Sequence, residues 1–343
     1  MKAAVIPTLG KLEIWDVPAP QPGPFEALVK IEACGLCGTT DRHIVEGHQC
    51  HHKSEWYPAI LGHEAVGTVV EIGQNVRKFH VGDRVTQPNA IWPGTVRDGL
   101  YSAWGGFAEW GIVREANGEP GAPQSDFHTT RQHVVPPELS VEDAVLTISV
   151  AEVASWMEKL GDLREKTLTI GGTGFAACVM SQCAQAKGAK RIIALGRSPQ
   201  KLEWTKRNGA THALMLDDNT RAAVKDINGG VGVDWFLDAA GHQAVFEVGL
   251  GTLRPGGSAA IYGAPDGNAY RVPLGATGSD FSVHYLTTND DTFYAEACRR
   301  MVAGTLKADL LRTHVWQGLE ALPLALKEQA GGQVLKGITK ITI

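Results

Sequence analysis

Cysteine is scarce in this chain of 343 residues: there are six, at positions 34, 37, 50, 178, 183 and 298. So few, scattered so widely, exclude a disulfide-stapled fold and fit thiols that stay reduced. Long apolar runs are missing too. No stretch approaches the roughly 18 consecutive apolar residues of a membrane span, and Met1-Lys2-Ala3-Ala4-Val5-Ile6 has neither the charged-then-apolar order nor the cleavage site of a leader. Charge of one sign is also in short supply. A formal net charge of −5 creates no field for a polyanion. The expectation from these absences is a cytoplasmic protein with neither membrane nor nucleic acid as a partner.

Glycine, by contrast, is abundant at 40 residues, many of them in short strand-turn-helix settings typical of α/β proteins. A chain this long exceeds what one hydrophobic core usually holds, so two domains are expected. The first half reads as strands and turns: Ala27-Leu28-Val29-Lys30-Ile31 alternates, Val66 to Ile72 is β-rich, and Gly82-Asp83-Arg84-Val85 turns into another strand. From about residue 141 the rhythm changes to helix and strand in alternation. The segments Leu168–Ile170, Arg191–Leu195, Asp234–Leu237 and Ser258–Tyr262 are short and apolar, as strands covered on both faces must be. This predicts a doubly wound parallel sheet over residues 150–289, inserted in a β-rich domain made of residues 1–149 and 290–343.

After the strand ending at Ile170 comes Gly171-Gly172-Thr173-Gly174-Phe175-Ala176-Ala177, a G-x-G-x-x-A turn that opens a helix. Glycines there permit a tight turn and let a pyrophosphate approach backbone N–H groups at the helix start. Gly172, Thr173, Gly174, Phe175 and Ala176 are therefore candidate dinucleotide-binding residues. An NAD-preferring site usually ends the next strand in an acidic residue for the ribose 2′-hydroxyl. This chain has Gly196-Arg197-Ser198 instead, a guanidinium and a hydroxyl suited to a 2′-phosphate, which favours NADP. Ala239 and Gly263 fall at strand ends on the ligand-binding side of such a sheet.

In the first half, Cys34-Gly35-Leu36-Cys37-Gly38-Thr39-Thr40-Asp41 precedes Leu61-Gly62-His63-Glu64 by a loop rich in His and Cys. Thiolate, imidazole and carboxylate are the ligand types of a catalytic zinc with an open coordination position. A C-x-x-C pair without a second pair is not a structural zinc motif. Four tryptophans, Trp56, Trp92, Trp104 and Trp110, are candidates to line a substrate pocket or to fill a core.

In order and spacing the sequence resembles the medium-chain, zinc-containing alcohol and polyol dehydrogenases, including sugar and glucose dehydrogenases. The resemblance runs through Cys37-Gly38-Thr39, Gly62-His63-Glu64-Ala65-Val66-Gly67, Gly82-Asp83-Arg84-Val85, Gly105-Gly106-Phe107-Ala108-Glu109, the G-x-G-x-x-A turn, Asp238-Ala239-Ala240-Gly241 and Leu253-Arg254-Pro255-Gly256-Gly257. It implies a GroES-like β-rich catalytic domain, a Rossmann cofactor domain and a zinc-dependent, NAD(P)-linked oxidation of an alcohol, with a polyhydroxylated substrate favoured. It also implies Cys37 and His63 as zinc ligands, Glu64 as a ligand or close partner, and Thr39 as the hydroxyl that relays the proton. A homodimer or homotetramer is implied as well, with the strand near Ser258–Tyr262 at the sheet edge where subunits pair.

Three departures accompany the resemblance. The family's third ligand position falls at Thr147 or Ile148, so Glu64 is expected to complete the site. Glu152, one turn further on, and Cys50, His48, His51 or His52 are the alternatives. An extra threonine stands in the Cys-Gly-Thr-Asp pattern, so either Thr39 or Thr40 is the relay, and it shifts Asp41, whose counterpart orients a metal-bound histidine, and His43, whose counterpart hands the proton to solvent. The segment after Val85 lacks the four close cysteines of the family's structural zinc lobe, so no structural zinc is expected. Two other readings stay open: a zinc-independent reductase of an activated alkene or quinone, and a non-catalytic NADP-binding protein.

Overall fold

The computed structural model describes residues 1–47, 56–115, 127–265, 269–273, 275 and 277–341. The chain divides into two compact units, residues 1–148 with 312–343, and residues 149–311.

The first unit is built on the long strand Glu26–Leu36, which pairs antiparallel with Glu64–Ile72, Trp110–Arg114 and Gly337–Lys340. Burial alternates along it as far as Ile31 and then becomes continuous from Ala33 to Leu36, where both faces are covered. A second sheet carries Lys2–Ile6 between Glu13–Asp16 and Ala59–Ile60. Ile6, Ile31, Cys34, Leu36, Ile44, Leu61 and Phe107 pack into one buried cluster of this unit. This is the GroES-like β-rich architecture.

The second unit holds six parallel strands, in the order His212–Met215, Arg191–Gly196, Thr167–Gly171, Val233–Asp238, Leu253–Ile261, Phe281–Tyr285. By position in this sheet the order is 3-2-1-4-5-6, the doubly wound dinucleotide-binding topology. Helix Phe175–Ala186 follows the Thr167–Gly171 strand and is buried on all sides from Ala177 to Ala184, as a helix with small and apolar residues around its whole circumference must be.

Two expectations are corrected. Leu253–Ile261 has a strand on either side, so the sheet edge is Phe281–Tyr285 and not Ser258–Tyr262. Residues 290–311 belong with the dinucleotide-binding unit and not with the β-rich one. Arg300, on helix Asp290–Val302, pairs with Glu158 at 2.9 Å, and Lys187 pairs with the same carboxylate at 3.0 Å. Gln182 accepts from Lys307 N at 2.6 Å and donates to Lys307 O at 3.1 Å. These polar contacts tie the segment to the dinucleotide-binding unit. Among the described residues, no helix is long and apolar enough to cross a membrane.

Candidate active site

Strand register assembles the first cluster. Gly35 lies opposite Glu64 in the antiparallel pair, so Cys37, two residues on, and His63, one residue back, meet at the same end of the sheet. Ligand atoms of Cys37, His63 and Glu64 all lie within 4.8 Å of one another. Gly35 is needed for volume: a Cβ there would strike the Glu64 carboxylate and stand 2.8 Å from Val145 Cγ1.

Asp41, fully buried, accepts from Cys37 N at 2.8 Å through Oδ2 and from His63 Nδ1 at 3.0 Å through Oδ1. A carboxylate only accepts, so Nδ1 carries a proton and Nε2 is turned to the cluster, the orientation a metal-binding imidazole needs. The inserted threonine therefore does not remove Asp41 from its expected partner. Burial alone would lower the His63 pKa, but the Asp41 charge and hydrogen bond raise it well above the ordinary value. Burial alone would raise that of Cys37, yet its hydrogen bond and charge interaction with His63 bring it below the ordinary thiol value.

One participant was not foreseen. Lys336 directly precedes the strand Gly337–Lys340, whose Gly337 pairs with Leu36, and this register delivers its ammonium to Glu64 Oε2. Lys336 is only 4% exposed. Burial would lower its pKa, but the Glu64 and Cys37 charges outweigh burial and raise it. The other Glu64 oxygen, Oε1, stands 3.8 Å from His63 Nε2. No motif marks Lys336; the only signal in the sequence is a lysine at the mouth of a terminal strand.

The donor set fits a divalent cation. Thiol, imidazole and carboxylate are zinc-type ligands, their atoms converge within 4.8 Å, and the Glu64 carboxylate among them is buried. Cys34 is different: it is buried in mid-strand, its thiol pushed up by burial, and belongs to the core. Thr40 N donates to Cys37 Sγ at 3.3 Å, whereas Thr39 is exposed at the start of helix Thr40–Glu46, and His43 is half-buried on that helix. Glu152 falls in the second unit, where it accepts from Tyr262 Oη at 3.2 Å, and is not part of the cluster. His48, Cys50, His51 and His52 lie outside the described residues.

Aromatic rings continue from His63. Its ring centroid is 5.5 Å from Trp104; Trp104 is 6.3 Å from His128, and His128 is 6.2 Å from Trp92. Trp110 takes no part in this chain of rings and sits in the strand opposite Lys30. Trp56 is 37% exposed.

In the second unit, the turn after Thr167–Gly171 has Gly172 at φ +123°, and Gly174 in extended conformation just before the helix starting at Phe175. Ala239 N donates to Gly171 O at 2.9 Å, and Gly263 N to Asp238 O at 3.0 Å, which brings three strand ends together around Gly172, Ala239 and Gly263. Gly196 ends the neighbouring strand against Thr173: a Cβ at 196 would collide with Thr173 Cγ2. The missing acidic side chain thus has a steric cause inside the unit. Arg197 is exposed, while Ser198 caps helix Pro199–Arg207 by accepting from Lys201 N at 3.4 Å.

A thiol-imidazole-carboxylate cluster in a GroES-like unit and a doubly wound nucleotide fold in the other unit together define a dehydrogenase with one potential metal site. Residues 23–124 match the alcohol dehydrogenase GroES-like domain and residues 174–302 the zinc-binding dehydrogenase family. Sorbitol dehydrogenase of Bacillus subtilis (strain 168) is 30% identical over 296 residues, 80% of this chain and 77% of that protein. The NADP-dependent isopropanol dehydrogenase of Thermoanaerobacter brockii is 32% identical over 272 residues, 76% of this chain and 75% of that protein. Benzyl alcohol dehydrogenase from Acinetobacter calcoaceticus shares the fold, with a TM-score of 0.82 at 23% identity over 99% of both chains. The chain belongs to the zinc-type alcohol, polyol and sugar dehydrogenases of the medium-chain superfamily, and is an NAD(P)-dependent oxidoreductase acting on CH–OH groups.

Proposed function

We propose that the protein is a zinc-dependent, NADP-linked dehydrogenase that moves a hydride between the cofactor and a secondary alcohol or ketone, or a polyol or sugar. Cys37, His63 and Glu64 hold one catalytic zinc, with no structural zinc. The carbinol carbon gives a hydride to the nicotinamide and the hydroxyl gives a proton to solvent, so the alcohol loses two electrons and NADP⁺ gains them. Zinc held there supplies Lewis-acid charge that lowers an alcohol's pKa toward neutrality. Asp41 orients His63, and Lys336 holds one oxygen of Glu64 and leaves the other for the metal. Thr40 is the favoured proton relay over Thr39, because it precedes the anchored Asp41 and its amide contacts the Cys37 sulfur. His43 passes the proton outward.

The observation that carries this reading is the convergence of the Cys37, His63 and Glu64 ligand atoms within 4.8 Å of one another. Metal content per chain tests it. About one zinc is expected in the native protein, with both zinc and NADP-linked activity lost in Cys37→Ser and His63→Ala; native protein that holds no metal overturns it. NADP over NAD is supported by Gly196 and by the exposed Arg197, with Gly172, Thr173, Gly174, Phe175, Ala176, Ala239 and Gly263 around the dinucleotide and Ser198 capping the helix beside it. Losing one charge-assisted contact costs about 1.5–3 kcal/mol, so Arg197→Ala should lower kcat/KM for NADP at least about tenfold and leave that for NAD nearly unchanged. Equal losses with both cofactors would remove Arg197 from the phosphate site.

A further inference from the structure

Among the described residues, four that are not glycine adopt positive φ: Gln87, Asp98, Trp104 and Glu165. Two of the four touch the same residue. Gln87 Nε2 donates to His63 O at 3.0 Å, and the Trp104 ring stands 5.5 Å from the His63 ring at an interplanar angle of 52°. A bulky side chain at φ +64° is held there only when its surroundings over-determine it. Here they do. Gly106 N donates to Gly62 O at 2.7 Å and Phe107 N to Leu61 O at 2.8 Å, and a Cβ on Gly106 would stand 2.7 Å from that of Ala65. Trp104 is thus clamped to the segment that carries His63 and Glu64.

We propose that Trp104 is the specificity-determining wall of the reacting centre, and that the preferred substrate is a secondary alcohol, or its ketone, bearing a flat aryl group that packs on this indole. The proposal rests on the Cys37-His63-Glu64 reading and narrows its substrate. From Trp104 the row of rings continues through half-buried His128 to Trp92, which is 8% exposed. Arg114, whose guanidinium lies 4.2 Å from the Trp92 ring centroid, is committed to Glu26 at 2.6 Å. The indole of Trp104 favours an apolar plane, through offset or edge contacts.

The test compares native protein, Trp104→Phe and Trp104→Ala on 1-phenylethanol, 2-propanol and glycerol with NADP⁺, alongside calorimetric binding of acetophenone and acetone and metal content. The native protein should prefer 1-phenylethanol. Trp104→Ala should reduce the ratio of kcat/KM for 1-phenylethanol to that for 2-propanol by at least about tenfold, and Trp104→Phe should restore most of it. A loss of fold or metal would lower both substrates together and leave the ratio alone, so an unchanged ratio overturns the proposal. Protein that holds zinc but prefers glycerol, or binds acetophenone no better than acetone, overturns this inference and leaves the metal centre standing. Protein without zinc whose acetophenone binding still depends on Trp104 supports the wall and refutes the metal centre.

Discussion

The metal-candidate end of the first unit and the dinucleotide end of the second solve opposite problems. In the first, polar and charged side chains from three distant parts of the chain, Cys37 with Asp41, His63 with Glu64, and Lys336, are brought together and pair with one another across strands. In the second, one short turn and the neighbouring strand ends present backbone, with Gly172, Gly196 and Gly263 kept free of side chains. A charged site fails when a partner is removed; a backbone site fails when an atom is added.

Removing Lys336 should break the first region hardest. Lys336→Met leaves the Glu64 carboxylate buried without its cation, a loss of about 3–5 kcal/mol. Urea unfolding should register most of it after chelation and less with zinc bound, because the metal supplies positive charge. A loss below about 1 kcal/mol in the chelated protein would mean that Glu64 does not depend on this ion pair.

Adding one methyl tests the second region. Gly196→Ala should lower stability by about 1–3 kcal/mol through collision with Thr173 and weaken NADP binding. Thr173→Gly in the same chain should recover much of that, with a coupling of about 0.5–3 kcal/mol in a double-mutant cycle. Strict additivity would show that Thr173 is not the obstacle.

The smallest effect is expected outside both sites. Glu158 is partly buried, which alone would raise its pKa, but Lys187 and Arg300 hold it below the ordinary carboxylate value. A depressed folded-state pKa contributes stability that is complete above the unfolded value and is lost as pH falls through the folded one. Glu158→Gln should therefore reduce stability at neutral pH and flatten the acid limb of the unfolding curve. A parallel shift at every pH would detach the carboxylate from that limb.

Much of both regions was legible in the chain. Continuous apolar segments between turns described the parallel strands, and the G-x-G-x-x-A turn described its own geometry, since every residue of it is local. Cys37, His63 and Glu64 were legible as ligand types, and they converge. The partner of Glu152 and the limit near residue 290 were not legible for a common reason: a helical position or a change of rhythm says nothing about which partner a polar side chain meets. Glu152 meets Tyr262, and the 290–311 segment is held by Glu158 and Gln182. The edge strand was misplaced because Phe281–Tyr285, with its burial pattern of mostly exposed residues, lacks the apolar run of a strand covered on both faces.

By itself, then, the sequence determined what depends on near neighbours: the strand and helix periods, the glycine turn, and which residues have ligand chemistry. Tertiary structure alone decided what depends on register between distant strands. It placed Gly35 opposite Glu64, carried Lys336 to that carboxylate, and clamped Trp104 against His63. The physical reason is that Coulomb and steric energies depend on distance in space, and strand pairing brings residues near the two ends of the chain into contact.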